Sequence, residues 1–270
     1  MATEYAPTLS ILLLENWVMS AQLVPGAPQQ ARFPATNLLD DKRSSRYRSP
    51  DDSVVRRVPF DLGTAKAPNA FGLVDANLVS GQVAFVGADD SGLTVNVQTV
   101  TFNVYAQGSS KILRWYADTH DGGGAIGARR FWAPELKATT TGGAGFHEAG
   151  VVWIGQRTEV GIALPIDSTT RDLSKVVSSD SGARHYLRRG KLRESTFDTG
   201  LLESTAFWDL EEKLDRAGAA SPILVDPWAM TADGKRGGPR YGNLSDRPYR
   251  VSQRLQTRGS ISIDFIEAAA

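Results

Sequence analysis

Between Val54 and Ile154 the apolar positions fall in short runs separated by glycine and acidic turn residues: "VVRRVPFDLG", "NAFGLVDANL", "GQVAFVGADDSG", "TVTFNVYAQG", "KILRWYAD", "RRFWAPEL" and "EAGVVWIG". Runs of this size and spacing, rich in Val, Phe, Trp and Tyr, predict the strands of a β-sandwich rather than alternating strands and helices. Upstream, "SILLLENWVMSAQLV" is apolar but interrupted by Glu15 and Asn16, and reads as a buried pair of strands. The stretches "DTHDGGGAIGA" and "TTTGGAGFHEAG" carry so much glycine that they are expected to be flexible loop tips.

Beyond Gly155 the texture becomes polar with sparse apolar anchors, and a single helix is predicted over residues 204–217. Phe207, Leu210, Leu214 and Ala217 recur at three and four and make one apolar face. Ser204 or Thr205 is placed to cap it, Arg216 favours its end, and Gly218 supplies the stop. "SPILVDPW" then reads as a strand, "TADGKRGGPRYGNLSD" as a loop, and "YRVSQRLQTRGSISIDFIEAA" as a closing pair of strands. The fold class expected is mainly β: a sandwich over residues 31–155 and a second β domain with one helix over 156–270. The strands of residues 1–30 are free to pair with either domain, the C-terminal one included.

Composition narrows the function. At 270 residues, folding buries roughly 70–75% of the unfolded surface, so neither metal nor disulfide is needed to hold the chain together. The 30 Lys and Arg balance the 30 Asp and Glu, which removes the electrostatic argument for a nucleic-acid or anionic-membrane partner. Cysteine is absent, and with it thiolate chemistry. No run reaches the length of a membrane span, and a soluble product made in the cytoplasm is expected. There is no Gly-x-Ser-x-Gly, His-Glu-x-x-His or phosphate loop, and His120, His147 and His185 lie far apart in sequence. A non-enzymatic role without a cofactor follows.

The segment "PATNLLDDKRSSRYRSP", with Asn37, Asp40, Ser44, Ser45, Arg46, Tyr47 and Ser49, resembles the N-terminal signature of the discoidin-type, galactose-binding-like jelly rolls. "VPFDLG" resembles the strand that follows it, and "EAGVVWIG" the strand that closes the domain. That resemblance implies a structural calcium loop, carried here by Asp40 and Ser45 with Glu148 as acidic closer, although Lys42 sets a positive charge beside it. A plain loop, anchored by Leu38 and Leu39 with Asp40 accepting backbone N–H groups, is the competing reading, and the metal expectation is none. Lectin-like members imply glycan contacts from loop aromatics and imidazoles, for which Trp115, Trp132, His120 and His147 are the candidates. Each has a bland alternative: the tryptophans as core, the histidines as solvated loop residues.

Across nearly the whole chain, the order of "NLL", "DLG", "FGLVDANL", "GADD", "VWIG", "FWDLEEKLDRAG", "SPILVDP", "YGNLSD" and "SISIDFIEA" is similar to that of a class of tailed-phage virion proteins. The C-terminal layout resembles the tail-tube and distal tail domain. This implies a structural component of a tail tip or baseplate, assembled in the host bacterial cytoplasm and located in the virion. Its expected partners are copies of itself in a hexameric or trimeric ring, the tail tube, hub and receptor-binding proteins, and a host-surface glycan. The basic segment Arg184, Arg188, Arg189, Lys191 and Arg193 is the candidate inter-subunit strip, against the alternative of a solvated hairpin. A carbohydrate-binding module for host recognition is the alternative function.

Overall fold

The computed structural model describes residues 10–40, 42–104, 112–140, 143–172, 175–178, 184–187, 191–219, 221–226, 239–255 and 258–267. The protein is mainly β, with one α-helix among the described residues. It divides into two compact units: Met1–Glu159 with Leu224–Pro239, and Val160–Ile223 with Arg240–Ala270.

The first unit is a sandwich. One sheet has Ala70–Val74 at its centre, flanked antiparallel by Ile112–Tyr116 and Val151–Gly155. The other runs Gln22–Leu23, Phe60–Lys66, Arg129–Leu136, Gln82–Ala88 and Gln98–Asn103, with Arg56–Arg57 also on Arg129–Leu136. Alternation along each strand assigns the faces. Phe71, Leu73, Leu113, Trp115, Val152 and Ile154 from one sheet meet Phe60, Val83, Phe85, Val100, Phe102, Trp132 and Leu136 from the other in one buried cluster. Aromatic rings dominate its middle: Phe71 lies 4.7 Å from Phe85 and 5.9 Å from Trp132, and Phe102 stacks on Trp115 at 5.5 Å. Such pairs add directional contacts to the area they bury.

The first sheet is covered on its outer face as well. Arg114, Gly72 and Trp153 are in register across the three strands and so share that face. There the pair formed by Ser10–Leu13 and Leu224–Asp226 brings in Asp226, whose Oδ2 accepts from Arg114 Nε at 2.7 Å and from the Tyr116 hydroxyl at 3.1 Å. Burial, reinforced by the Asp226 charge, raises the Tyr116 phenol well above its ordinary value.

Two local expectations are corrected. The apolar run from Ser10 holds two short strands, Ser10–Leu13 and Gln22–Leu23, which pair with Leu224–Asp226 and Phe60–Lys66 and not with each other, and a 3-10 turn over Trp17–Ser20 separates them. Asn16 is the cause: its Oδ1 accepts from the Val18 and Ile154 N–H groups and its Nδ2 donates to the Val152 carbonyl, so the chain turns between the two strands and sends them to different partners. The first glycine-rich loop is a hydrogen-bonded turn rather than a loose tip. The His120 N–H donates to Gly124 O and the Gly123 N–H to His120 O, both at 2.9 Å, while Gly122 N–H donates to His120 Nδ1. A Cβ on Gly122 or Gly124 would come within 3 Å of that imidazole, which explains the glycines.

The second unit is an antiparallel sheet in the order Arg240–Leu255, Arg258–Glu267, Lys191–Thr199 and Ile162–Asp172, with Leu202–Glu203 beside the start of Arg258–Glu267. Lys175–Ser178 and Arg184–Leu187 pair with each other. The helix Ser204–Ala217 turns Phe207, Leu210 and Leu214 inward, toward a core that includes Phe197, Ile261, Ile263 and Phe265. Gly259 permits this approach, because a Cβ there would lie 2.6 Å from the Phe207 ring. The helix carries no side-chain cap from Ser204 or Thr205. Glu203 occupies the cap position while still paired as a strand residue with Arg258, so the helix begins directly off the sheet.

Candidate functional site

Residues 33–49 form a polar clamp that closes one end of the sandwich. Tyr47–Arg48 pairs antiparallel with Glu148–Ala149, and alternation sends Tyr47 inward and its neighbours outward. Tyr47 is buried, its hydroxyl donates to Pro28 O at 2.8 Å, and burial pushes its pKa up to about 12 against the opposing charge of Arg56. Asn37 Nδ2 donates to Arg46 O, and the Asn77 side chain ties Phe146 O to the Glu148 N–H.

Three arginines and two carboxylates run along this end. Arg43 holds Asp75 with two bonds, Nε to Oδ2 at 2.8 Å and Nη2 to Oδ1 at 2.7 Å. Asp75 sits at φ 54°, a left-handed conformation that Asp tolerates better than most residues, and the two-point grip fixes it there. Arg46 spans Asp75 O at 3.0 Å and Glu148 Oε1 at 3.1 Å. Arg48 Nε donates to Glu148 Oε2 at 2.6 Å. The Arg48 guanidinium lies 3.9 Å from the Phe33 ring centroid and 4.6 Å from that of Phe146, and both phenylalanines are half-buried. Its side chain retains 30% exposure, and the Nε bond leaves the two terminal amino groups as donors on a fixed, planar fork.

The residues singled out in the sequence are distributed differently. Asp40 and Ser45 do meet, the Ser45 hydroxyl donating to Asp40 Oδ2 at 2.8 Å, with the Lys42 N–H on Oδ1. Glu148 is held by Arg46 and Arg48, and the Lys42 ammonium stands 3.8 Å from Asp40 Oδ2. These residues do not fit a calcium ion: cations and donors already occupy the carboxylate oxygens a hard metal would need. Trp115 and Trp132 are 2% and 0% exposed, with their indole N–H groups on Asn103 O and Arg129 O, so neither offers a face to a sugar. His147 is buried rather than solvated. Its Nε2 lies 3.3 Å from Ala138 O, and burial lowers its pKa against the opposing pull of that carbonyl, Asp52 and Asp51. His120 is half-exposed on its turn, its Nδ1 committed to Gly122. Of the basic strip, Arg188 and Arg189 lie outside the described residues, and Arg184 and Lys191 are placed as strand residues. Arg193 is exposed, with Nε on Ser168 Oγ at 2.8 Å.

Arg48 and Phe33 were not visible as site residues from sequence. The signal was the alternation in "RYR", which puts Arg46 and Arg48 on one side of a strand and both on Glu148.

No known family profile matches the sequence, and no curated protein does. Solved structures do show a likeness. Chitosan-binding module 1 of a chitosanase/glucanase from Paenibacillus sp. IK-5 gives a TM-score of 0.40 at 16% identity, covering 52% of this chain and 98% of that one. The family 32 carbohydrate-binding module of C. perfringens NanJ, in complex with galactose, gives 0.40 at 9% identity over 53% and 98%. The lectin domain of lectinolysin, complexed with Lewis B antigen, gives 0.38 at 13% over 53% and 96%. Each likeness spans about half of this chain and is one of chain trace. Nothing in these comparisons shows a phage tail protein.

Proposed function

We propose that the protein is a non-catalytic carbohydrate-binding protein, with the sandwich end built by Phe33, Arg48 and Phe146 as its glycan contact. The observation that carries this reading is the Arg48 fork. A guanidinium held by a carboxylate through Nε and packed close to two aromatic rings loses little freedom on meeting a ligand. Its paired N–H donors suit two neighbouring oxygens of a sugar, and the half-buried rings beside it suit the apolar face of a pyranose. A non-catalytic role is supported by the state of the buried acids. Asp75, Glu135 and Asp226 are each held by an arginine, which favours fixed charge over proton transfer.

A glycan array followed by titration calorimetry tests the reading. Arg48→Lys keeps the charge and loses the fork, and is expected to weaken binding about tenfold, with the melting temperature of the variant separating lost binding from lost fold. Binding unaffected by that substitution, or no binding to any glycan, overturns it. A second reading, a structural subunit of a phage tail tip, is supported by the ordered sequence fragments and by Trp208, which stands 55% exposed on the helix as anchor residues of protein interfaces do. The same array separates the two, since that role requires no sugar.

A further inference from the structure

We propose that the protein forms a two-fold dimer by antiparallel pairing of the Ile162–Asp172 strand with its counterpart in a second copy, centred on Thr169. Among the described residues this strand pairs on one side only, with Lys191–Thr199, and ends the sheet. An unpaired strand edge presents a row of backbone donors and acceptors that another strand can satisfy.

The edge is protected along its first half and open along its second. Pairing runs Ala163 to Asp198 and then Asp167 to Thr196, so the chain bulges between them, and Pro165 lies in that bulge. Bulges and proline are the devices that stop a strand from recruiting another. From Asp167 to Asp172 the register is regular, opposite Thr196 through Lys191, and Ser168, Thr169 and Thr170 are exposed.

The sequence of the open half selects its own copy as the occupant. Two-fold antiparallel pairing within one continuous sheet sets each residue opposite one on the same face, so the axis must pass through a residue position. Centred on Thr169, it puts Asp167 opposite Arg171, Ser168 opposite Thr170, and, by symmetry, Arg171 opposite Asp167. Centring on Ser168 or Thr170 pairs no opposite charges. Centring on Asp167, Arg171 or Asp172 sets like charges face to face. Opposite charges directly across a strand pair stabilise it and like charges disfavour it, so one register is selected over its neighbours. The contact is short and polar, which makes the dimer weak and salt-sensitive. The inference is independent of glycan binding.

Sedimentation velocity over a concentration series, at low and high salt, tests it on the full chain. The expected result is a monomer–dimer equilibrium that shifts toward monomer as salt rises. Asp167→Arg alone and Arg171→Asp alone each replace two attractive pairs by two repulsive ones, and each is expected to weaken dimerisation about tenfold. Asp167→Arg combined with Arg171→Asp restores opposite charges across the axis and is expected to recover the wild-type equilibrium. A melting temperature for each variant separates lost association from lost fold. A wild-type protein that stays monomeric throughout, or a double variant no better than the singles, overturns the proposal.

Discussion

Arg114 lies in the run "KILRWYAD", where alternation marks it as an outward-facing residue and nothing marks its partner. Asp226 is 112 positions away, fully buried, and joined to Arg114 and Tyr116 together. Asp226→Ala would remove the buried carboxylate that Arg114 and Tyr116 share, and a loss of about 3 kcal/mol is expected in chemical denaturation. The paired change Arg114→Met with Asp226→Leu is expected to cost much less, because both charges leave together. His147 is the matching case among single groups. Its folded pKa is lowered from 6.5 by burial, so below that value the unfolded chain binds a proton that the folded chain refuses. Stability from this group is therefore complete above pH 6.5 and declines as pH falls below it. Melting temperatures between pH 8 and pH 5 are expected to show that decline, and His147→Asn to flatten it. The depth of His147 was illegible because "GGAGFHEAG" reads as loop; what buries it is the pairing of the His147 carbonyl and N–H with Ser49, supplied by a distant segment.

Among elements, the helix was the most legible, because the three-and-four spacing of Phe207, Leu210 and Leu214 is local information and those residues are the buried ones. Its start was less so. The cap rule assumes a loop before the helix, and here a strand residue, Glu203, runs straight into it. The contact beneath the helix was invisible, since Gly259 gives no periodic signal although it determines how closely Phe207 can sit. Gly259→Val is expected to destabilise the protein by about 2 kcal/mol through overpacking. Combining it with Phe207→Ala is expected to cost less than the two single losses added, a coupling that a double-mutant cycle in denaturant would measure. The clamp around Arg46 and Arg48 was hidden on both sides. Its strand, Tyr47–Arg48, is two residues long inside a segment that reads as a loop, and the acids it grips, Asp75 and Glu148, come from parts of the chain that only folding brings near.

At the scale of the molecule, the mainly β character and the sandwich were legible because alternating apolar runs and turn residues repeat along the chain. How the chain is shared between the two units was not, for sequence order hides it. The first unit takes Met1–Glu159 and then Leu224–Pro239, with Val160–Ile223 assigned to the second in between. This arrangement has a temporal consequence. On the ribosome, Arg114 and Tyr116 are made long before Asp226, so the nascent sandwich holds this guanidinium and phenol without the carboxylate they share until more than a hundred further residues have been added. Translation order thus postpones completion of the first unit until much of the second has already been synthesised.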